Sequence, residues 1–200
     1  MQHLIVATRN AHKTREIQQI LGSEFAVCDL CAYPEISEMT ESGGSFEENA
    51  TLKAIAVSRK RPGLVIADDS GLEIEALGGA PGIYSARYAS TNSTNIEKID
   101  KLMEELVRAG AKKDARRARF RCVLALARNG QVLGVFEGIV AGRIADRPRG
   151  PHGFGYDPIF IPDGFEKTFA ELPAEVKNNI SHRARACRAL SAELRAAATD

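Results

Sequence analysis

Short apolar runs alternate with amphipathic segments along the first part of the chain. The runs from His3 to Ala7 and from Phe25 to Leu30 have the length and composition of strands. Between them, Ala11 to Leu21 repeats apolar residues at helical spacing and stops at Gly22, which is typical of a helix end. A second helix is predicted from Ser45 to about Arg59, because a serine followed three positions later by glutamate marks a helix start.

The rest of the chain is richer in strand patterns. Asn129-Gly130 separates two β-rich runs and is a strong signal for a hairpin turn. The pattern predicts strands at Val65–Asp69, Leu72–Leu77, Arg119–Ala127, Val132–Ile139 and Pro158–Ile161, and helices at Asn95–Ala109 and from Ser181 to about Ala198. Early βα units followed by a hairpin and a closing helix predict an α/β fold with a mixed β-sheet flanked by helices. We expect residues 1–200 to form one domain with two lobes and an active-site cleft between the lobes.

Composition narrows the possible partners and the compartment. The formal net charge of +1 gives no overall attraction to nucleic acid or to an anionic membrane. The basic run of residues 112–121 is interpreted as a solvated or subunit-facing segment, with a nucleic-acid patch as the alternative. No apolar run reaches membrane-spanning length, and the start lacks a signal-peptide layout. Four cysteines without a zinc-like second pair suit ordinary thiols in a reducing compartment, so a cytoplasmic protein is predicted.

Two adjacent acids, Asp68 and Asp69, follow the apolar run from Leu64 to Ala67. Because burying unpaired charge is costly, acids at the end of a core strand need water, cations or donors nearby. The arrangement suits a general base or a divalent metal, and Glu41 in an acidic loop is the candidate second metal ligand, since Mg²⁺ takes oxygen ligands. The alternatives are an Asp-Ser-Gly turn and a solvated loop acid.

Three residues surround the start of the first predicted helix: Thr8, Asn10 and Lys13. Helix N-termini bind phosphate through free N–H groups and the helix dipole, and Lys13 would add a positive charge. The alternative is a surface helix that Asn10 caps at its N-terminus, with a solvated lysine. Lys53 lies on a helix of otherwise small and apolar residues, where it either faces a polyphosphate or extends to the surface.

A glycine-rich loop contains Phe154 and Asp157, which could stack on a base and accept a hydrogen bond from its ring N–H. Packing of Phe154 in the core is the alternative. Further along, Lys177 precedes the final helix, whose first turn carries His182 and Arg183. Cations in a first turn oppose the helix dipole, and this local conflict indicates a ligand site. A basic first turn tolerated at the surface is the alternative.

Six stretches together carry a specific pattern: Thr8-x-Asn10-x-x-Lys13, Ser45-Phe46-Glu47-Glu48-Asn49-Ala50 with Lys53-Ala54, Ala67-Asp68-Asp69-Ser70-Gly71-Leu72, Gly78-Gly79-Ala80-Pro81-Gly82-Ile83-Tyr84-Ser85-Ala86-Arg87-Tyr88, Gly153-Phe154-Gly155-Tyr156-Asp157-Pro158, and Ile180-Ser181-His182-Arg183. In this order they resemble the inosine triphosphate pyrophosphatase family, also called XTP/dITP diphosphatases. The resemblance covers nearly the whole chain. Arg9 departs from it, standing where a small residue is common, and Ser42-Gly43-Gly44-Ser45 replaces a usual Thr-Gly-x-Thr.

The resemblance implies a two-lobed homodimer that uses Mg²⁺ to hydrolyse ITP, dITP and XTP to the monophosphate and pyrophosphate, which cleanses the nucleotide pool. It implies triphosphate contacts from Thr8, Asn10, Lys13 and Lys53. It implies metal binding by Glu41 and Asp69, with Asp69 as general base. It implies that the nucleotide is held by Ser70, Phe154, Gly155, Tyr156, Asp157, Lys177, His182 and Arg183. A pyrophosphatase with another base preference, a nucleotide sensor without turnover and a nucleic-acid-binding protein are the alternatives.

Overall fold

The chain forms an α/β fold built on a mixed sheet. The computed structural model describes residues 2–37, 39, 42–112 and 115–196. Within these residues the strands are β1 (Gln2–Val6), β2 (Phe25–Asp29), β3 (Leu64–Ile74), β4 (Arg117–Arg128), β5 (Gln131–Ile144) and β6 (Phe160–Pro162). The helices of the same residues are α1 (Ala11–Leu21), α2 (Phe46–Ser58), α3 (Asn95–Arg108), α4 (Ala174–Ile180) and α5 (His182–Ala196).

The strands lie in the order β2-β1-β3-β4-β5-β6. Strand β1 pairs in parallel with both β2 and β3, whereas β5 and β6 are antiparallel, so the predicted mixed sheet is confirmed. The pairing of β1 with β3 aligns Val6 with Ile66, and β3 then continues to Ile74. The residues that follow β1 therefore leave the sheet beside Asp68 and Asp69 of β3.

Strand β3 corrects one prediction. The segments Val65–Asp69 and Leu72–Leu77 were expected as separate strands, but a single strand runs through both as far as Ile74, and a short 3₁₀ turn, Glu75–Leu77, follows it. Asp68 and Asp69 therefore do not end a strand. Strand β3 lies between β1 and β4 in the sheet, and its backbone stays extended through Ser70-Gly71 despite the turn preference of these residues.

The described residues divide into two compact units. The first unit comprises the described parts of Met1–Asp69, Cys122–Gly138 and His182–Asp200. Its helix α1 contacts β2 and α5, with Ile17 and Leu21 buried on the inner face of the helix. The apolar core of this unit consists of Leu4, Val6, Ile17, Leu21, Phe25, Leu64, Ile66, Cys122, Leu124, Leu126, Ala186, Cys187, Leu190 and Leu194.

The second unit comprises the described parts of Ser70–Arg121 and Ile139–Ser181. Its core includes three aromatic rings, Phe120, Phe160 and Phe169, whose centroids lie 4.7 to 6.1 Å apart. Helix α3 supplies Ile99, Leu102 and Leu106 to the same core. It starts at a capping box of Thr94 and Glu97, which satisfies backbone N–H groups at the helix end. Helix α4 was not predicted, because its seven residues show no clear apolar period.

The hairpin prediction is confirmed. Asn129 and Gly130 have φ values of 52° and 80°, as the tight turn between β4 and β5 requires. Both strands are longer than predicted, because β4 begins at Arg117 and β5 extends to Ile144.

Arginines of the basic segment have acidic partners inside the second unit. Arg117 pairs with Asp163, Arg119 with Glu73, and Arg116 lies 3.6 Å from Asp146. These pairs reduce the positive charge that the segment presents to a polyanion. In the described part of the chain, no helix has both the length and the apolar character needed to cross a membrane.

Candidate active site

Asp68 lies at the centre of a buried charge cluster in the first unit. Asp68 is 1% exposed. Its carboxylate lies 2.5 Å from Lys13 Nζ. The carboxylate also accepts hydrogen bonds from Arg183 Nε at 2.8 Å and from Cys122 Sγ at 3.3 Å. Burial disfavours the charged carboxylate, but the positive charges of Arg183 and Lys13 outweigh burial and hold the pKa of Asp68 well below its ordinary value. Asp68 is therefore a buried anion whose charge is matched by cations from α1 and α5.

Arg183 lies one residue into α5 and is fully enclosed. Its guanidinium donates through Nε to Asp68 and through Nη1 to Glu16 of α1, the latter at 2.6 Å. Burial alone would lower the pKa of Arg183, but Asp68 and Glu16 raise it well above its ordinary value. The two carboxylates balance the charge of this cation in the first turn of α5, and the predicted contact of Arg183 with a ligand stays a prediction.

Asp69 has its own set of donors in the first unit. Lys53 Nζ lies 2.8 Å from Asp69 Oδ1 and also donates to the backbone oxygen of Asp68 at 3.0 Å. Asn49 Nδ2 donates to Asp69 Oδ2 at 3.4 Å. Lys53 is 9% exposed, so it is an inward-facing partner of the aspartates rather than a solvated surface lysine. The structure therefore brings Lys13, Lys53, Asp68 and Asp69 together, while the predicted roles of Lys13, Lys53 and Asp69 toward a substrate stay predictions.

The start of α1 is capped by its own side chains. Asn10 Oδ1 accepts from the backbone N–H groups of His12 and Lys13, and Thr8 Oγ1 accepts from the N–H of Asn10. The predicted N-cap is confirmed. Two of the helix's N-terminal donors thus already have an acceptor, so phosphate binding by Thr8 and Asn10 stays a prediction.

The loop before α2 is held by the residues of that helix. Ser45 caps the helix as predicted, by accepting from the N–H of Glu48. Gly43 N–H donates to Asn49 Oδ1 at 2.8 Å, and a Cβ on Gly43 would lie only 2.8 Å from that oxygen. Asn49 therefore links this loop to Asp69. Glu41, the predicted second metal ligand, lies outside the described residues.

The glycine-rich loop of the second unit surrounds a buried ion pair. Asp157 Oδ2 accepts from the N–H of Phe154 at 2.7 Å and pairs with Lys177 of α4. Lys177 Nζ lies 4.9 Å from the centre of the Phe154 ring, within cation–π range. The loop's aromatic residue is therefore held at both its backbone and its ring by one carboxylate–ammonium pair.

Other predicted nucleotide-binding residues have structural contacts of their own. The Tyr156 hydroxyl donates to Ser85 O at 3.0 Å, and burial raises the pKa of Tyr156. Ser85 Oγ in turn accepts from Leu72 N–H in β3. Ser70 is half-buried in β3, directly after Asp69, and His182 is buried at the start of α5. Nucleotide contacts by these residues and by Gly155 stay predictions.

The donor set beside α1 and α2 suits magnesium. Mg²⁺ is usually bound by one or two carboxylates together with substrate phosphates and water, and Asp69 supplies carboxylate oxygens beside two lysines that suit phosphate. Residues 2–37, 39, 42–112 and 115–196 contain no group of three or more His, Cys, Asp or Glu that would hold a metal by itself.

Comparison with known proteins decides the family. The model of the Ham1 family matches residues 4–193. The chain belongs to the Ham1 family. Among curated relatives of this Ham1 protein, the dITP/XTP pyrophosphatase of Bacillus subtilis is 47% identical over 98% of both chains. The Bacillus licheniformis protein of the same name is 45% identical over 97% of this chain and 98% of its own.

Solved structures agree with the Ham1 assignment. The HAM1 protein from Coxiella burnetii has a TM-score of 0.86 and 39% identity over 97% of this chain and 98% of its own. The Ham1 protein of Staphylococcus aureus has a TM-score of 0.84 and 39% identity over 98% and 99% of the two chains. The resemblance to XTP/dITP diphosphatases, inferred from motifs, is thereby confirmed.

Several contacts of the Ham1 site were not predicted from the sequence. Glu16, Asn49 and Cys122 form hydrogen bonds to the aspartates or to their partners, although none of the three was predicted as a site residue. A signal existed for two of them, because Glu16 follows Lys13 by three positions and Asn49 precedes Lys53 by four, spacings that share a helix face. Arg9 donates to the backbone oxygens of Leu30 and Ile36, so this departure from the family pattern holds the segment after β2.

Gly153→Ala is expected to disrupt the Ham1 loop. Gly153 has a φ of +73°, and an added Cβ would lie 2.1 Å from Asp157 Oδ2, so it would displace the carboxylate from Phe154 and Lys177. Thermal unfolding should show a loss of at least about 1–3 kcal/mol. Gly155→Ala is the matched control, since Gly155 has a φ of +61° and open space at its Cβ position. Equal losses in the two variants would show that backbone strain alone governs the loop.

Proposed function

We propose that this protein hydrolyses deaminated purine nucleoside triphosphates, namely dITP, XTP and ITP, to the monophosphate and pyrophosphate. One observation carries the proposal: Lys13 of α1 and Lys53 of α2 pair with the carboxylates of Asp68 and Asp69 on β3 in a single charge cluster. The curated Ham1 relatives named dITP/XTP pyrophosphatase match nearly the full length of the chain, which supports the substrate class. Such an enzyme removes these nucleotides before polymerases incorporate them.

We assign the triphosphate to the residues around α1 and α2. Thr8, Asn10, Lys13 and Lys53 offer hydroxyl, amide and ammonium groups, which suit phosphate oxygens. In the structure the two lysines bind Asp68 and Asp69. A triphosphate would therefore bring its negative charge to ammonium groups that the protein already orients. Phosphoryl transfer depends mainly on positioning and charge stabilisation, which this arrangement supplies.

We assign the metal to Asp69 and Glu41, and we propose Mg²⁺. When bound, the ion would neutralise charge on the phosphate oxygens. The proposed general base is Asp69, whose carboxylate accepts one proton from water while the water oxygen forms a bond to phosphorus. The phosphoanhydride bond breaks, and its electron pair leaves with the bridging oxygen, so the products are the monophosphate and pyrophosphate. The Lys53 ammonium stabilises the anionic form of Asp69 before the proton is taken.

We assign the base to the aromatic loop and the start of α5. Phe154 would stack on the purine, and the remaining contacts are assigned to Ser70, Gly155, Tyr156, Asp157, Lys177, His182 and Arg183. A 6-oxo purine presents an acceptor, which the cationic donors of this set can meet. Adenine presents an amino group instead and leaves buried donors unpaired, a penalty of about 1–3 kcal/mol each. The proposal also includes a homodimer that acts in the cytoplasm, without a nucleic-acid or membrane partner.

A substrate panel tests the proposed function. Pyrophosphate and orthophosphate release are measured with Mg²⁺ from dITP, XTP, ITP, ATP, GTP and CTP. We expect pyrophosphate from the first three and at least about 10²-fold lower kcat/KM for ATP, because two or more donors would lose their acceptor. Orthophosphate as the product, or equal turnover of ATP, would contradict the proposal. Tight binding of dITP without turnover would indicate a nucleotide sensor instead.

A further inference from the structure

Asn49 is a buried polar residue of α2 with no assigned role in the reaction. It is 1% exposed, and Phe46, Ala50 and Ala54, which are also buried on this helix, are apolar. Asparagine favours helix caps and turns over helix interiors, and a buried amide is unfavourable unless it is hydrogen-bonded. A residue that is unfavourable both in its helix and in its core indicates a specific contact.

The Asn49 amide is held at both of its polar atoms. Gly43 N–H donates to Asn49 Oδ1 at 2.8 Å, and Asn49 Nδ2 donates to Asp69 Oδ2 at 3.4 Å. Because a backbone N–H can only donate, the amide oxygen must face Gly43, and the NH₂ group must therefore face the carboxylate. Hydrogen bonds in active sites are often long before the substrate binds and shorten in the complex. The loop before α2 thus determines that Asp69 meets a donor.

Asn49 and Lys53 together supply donors to both oxygens of Asp69. The two residues are four positions apart and lie on one face of α2. Lys53 Nζ lies 2.8 Å from Asp69 Oδ1, whereas Asn49 donates to Oδ2. Asp69 is 4% exposed, so water competes weakly with these contacts. One donor at each oxygen defines the plane of the carboxylate.

We propose that Asn49 is a positioning residue for Asp69, because its amide fixes the plane of the carboxylate that takes the proton from water. The inference rests on the proposed function, in which Asp69 is the general base, and adds the residue that orients this base. A general base must lie within hydrogen-bond reach of the proton that it abstracts. Without the amide, rotation of the carboxylate about its Cβ–Cγ bond is less restricted. A displacement of about 1 Å in a reacting group lowers a rate by about 100-fold.

Asn49→Leu tests the inference, because leucine keeps the branched shape of the side chain and removes both polar atoms. We expect kcat for dITP to fall by about 10- to 100-fold, the magnitude usual for residues that orient a reactive group. The KM for dITP should stay within about threefold of the wild type, since the lost contact is to the base and not to the substrate. The Kd of inorganic tripolyphosphate, measured by calorimetry with Mg²⁺, should stay within the same range, because binding requires no proton transfer.

A double variant tests whether Asn49 acts through Asp69. Asn49→Leu is combined with Asp69→Asn, and the kcat of the double variant is compared with that of Asp69→Asn alone. Residues that act as one unit have non-additive losses, so adding Asn49→Leu should change kcat by less than about threefold. If the two losses multiply instead, Asn49 acts independently of Asp69 and the inference is wrong.

Ser45→Ala is the matched control for the stability of α2. Ser45 caps this helix by accepting from the N–H of Glu48, so its loss weakens the helix start while the Asn49 amide is kept. We expect a lower melting temperature with an unchanged kcat. If Asn49→Leu does not fold, Asn49→Ala replaces it, because alanine removes the same two polar atoms without adding bulk, and the same loss of kcat is expected.

Two further results would overturn the inference. A lower melting temperature of the Asn49 variant with wild-type kcat would leave Asn49 a purely structural role. A tripolyphosphate affinity that falls in parallel with kcat would make Asn49 part of ligand binding instead. Failure of the proposed function is distinguishable, because the wild type itself would then release no pyrophosphate from dITP, and the inference would fail with it. Failure of the inference alone leaves wild-type turnover intact.

Discussion

Asp69→Asn is expected to lower kcat for dITP by about 10²- to 10⁴-fold, the usual contribution of a general base. The amide keeps the size of the carboxylate but cannot take a proton from water, and it leaves Lys53 without the charge it faces at 2.8 Å. Steady-state pyrophosphate release at saturating dITP measures the effect. Circular dichroism and a melting curve establish that the variant is folded.

Glu73→Gln is the control for this substitution. Glu73 lies on the same strand, β3, and loses a charge in the same way, but its partner is Arg119 of the second unit. We expect its kcat to remain within about twofold of the wild type, as for most substitutions that touch no reacting group. If Asp69→Asn keeps the kcat of the wild type, Asp69 is not the general base, and Asp68 becomes the next candidate.

Arg183→Met is expected to cost about 3–5 kcal/mol in the free energy of unfolding, the range for removing one partner of a buried ion pair. Asp68 would keep Lys13 but lose its guanidinium donor in a site where it is 1% exposed. Urea unfolding at neutral pH measures the change. Arg195→Met is the control on the same helix, because Arg195 has a 64% exposed side chain, and its loss should cost at most about 1 kcal/mol. Equal losses would contradict the central place of Asp68.

Arg183→Met is also expected to change how the free energy of unfolding depends on pH in the acidic range. The pKa of Asp68 is lowered in the folded protein, so its stabilising contribution is complete above its ordinary pKa of about 3.9 and is lost as pH falls through the folded-state pKa. Wild-type stability should therefore decline on acidification below about pH 5. In Arg183→Met the decline should be shallower, since the folded-state pKa lies closer to the unfolded one. Urea unfolding at a series of acidic pH values measures both slopes.

Much of the fold could be predicted from local patterns in the sequence. Helix α1 with its Asn10 cap, helix α2 with its Ser45 cap and the Asn129-Gly130 hairpin were all predictable, because capping and turn chemistry act over a few residues. Strand β3 was not, since its continuation through Ser70-Gly71 depends on a neighbouring strand that lies far along the chain. Non-local pairing decides such cases, and a single sequence does not display it.

The chemistry of the site was predictable in kind but not in pairing. The family resemblance assigned Asp69, Lys13 and Lys53 to one nucleotide site, and in the structure each of them has a charged partner within 3 Å. The sequence pattern wrongly placed Asp68 at the end of a strand. It did not identify the carboxylates that pair with Arg183. The reason is separation, because Asp68 and Arg183 are 115 residues apart.

The order of the chain constrains how the protein emerges from the ribosome. Residues 182–196 of α5 follow every residue of the second unit in sequence, yet Ala186, Cys187, Leu190 and Leu194 fill the core of the first unit. The nascent first unit therefore lacks part of its apolar core, and the cation for Asp68, until translation has passed α5. We expect it to remain open to proteases and chaperones for most of synthesis. The second unit is completed only slightly earlier, because its residues end at Ser181, directly before α5.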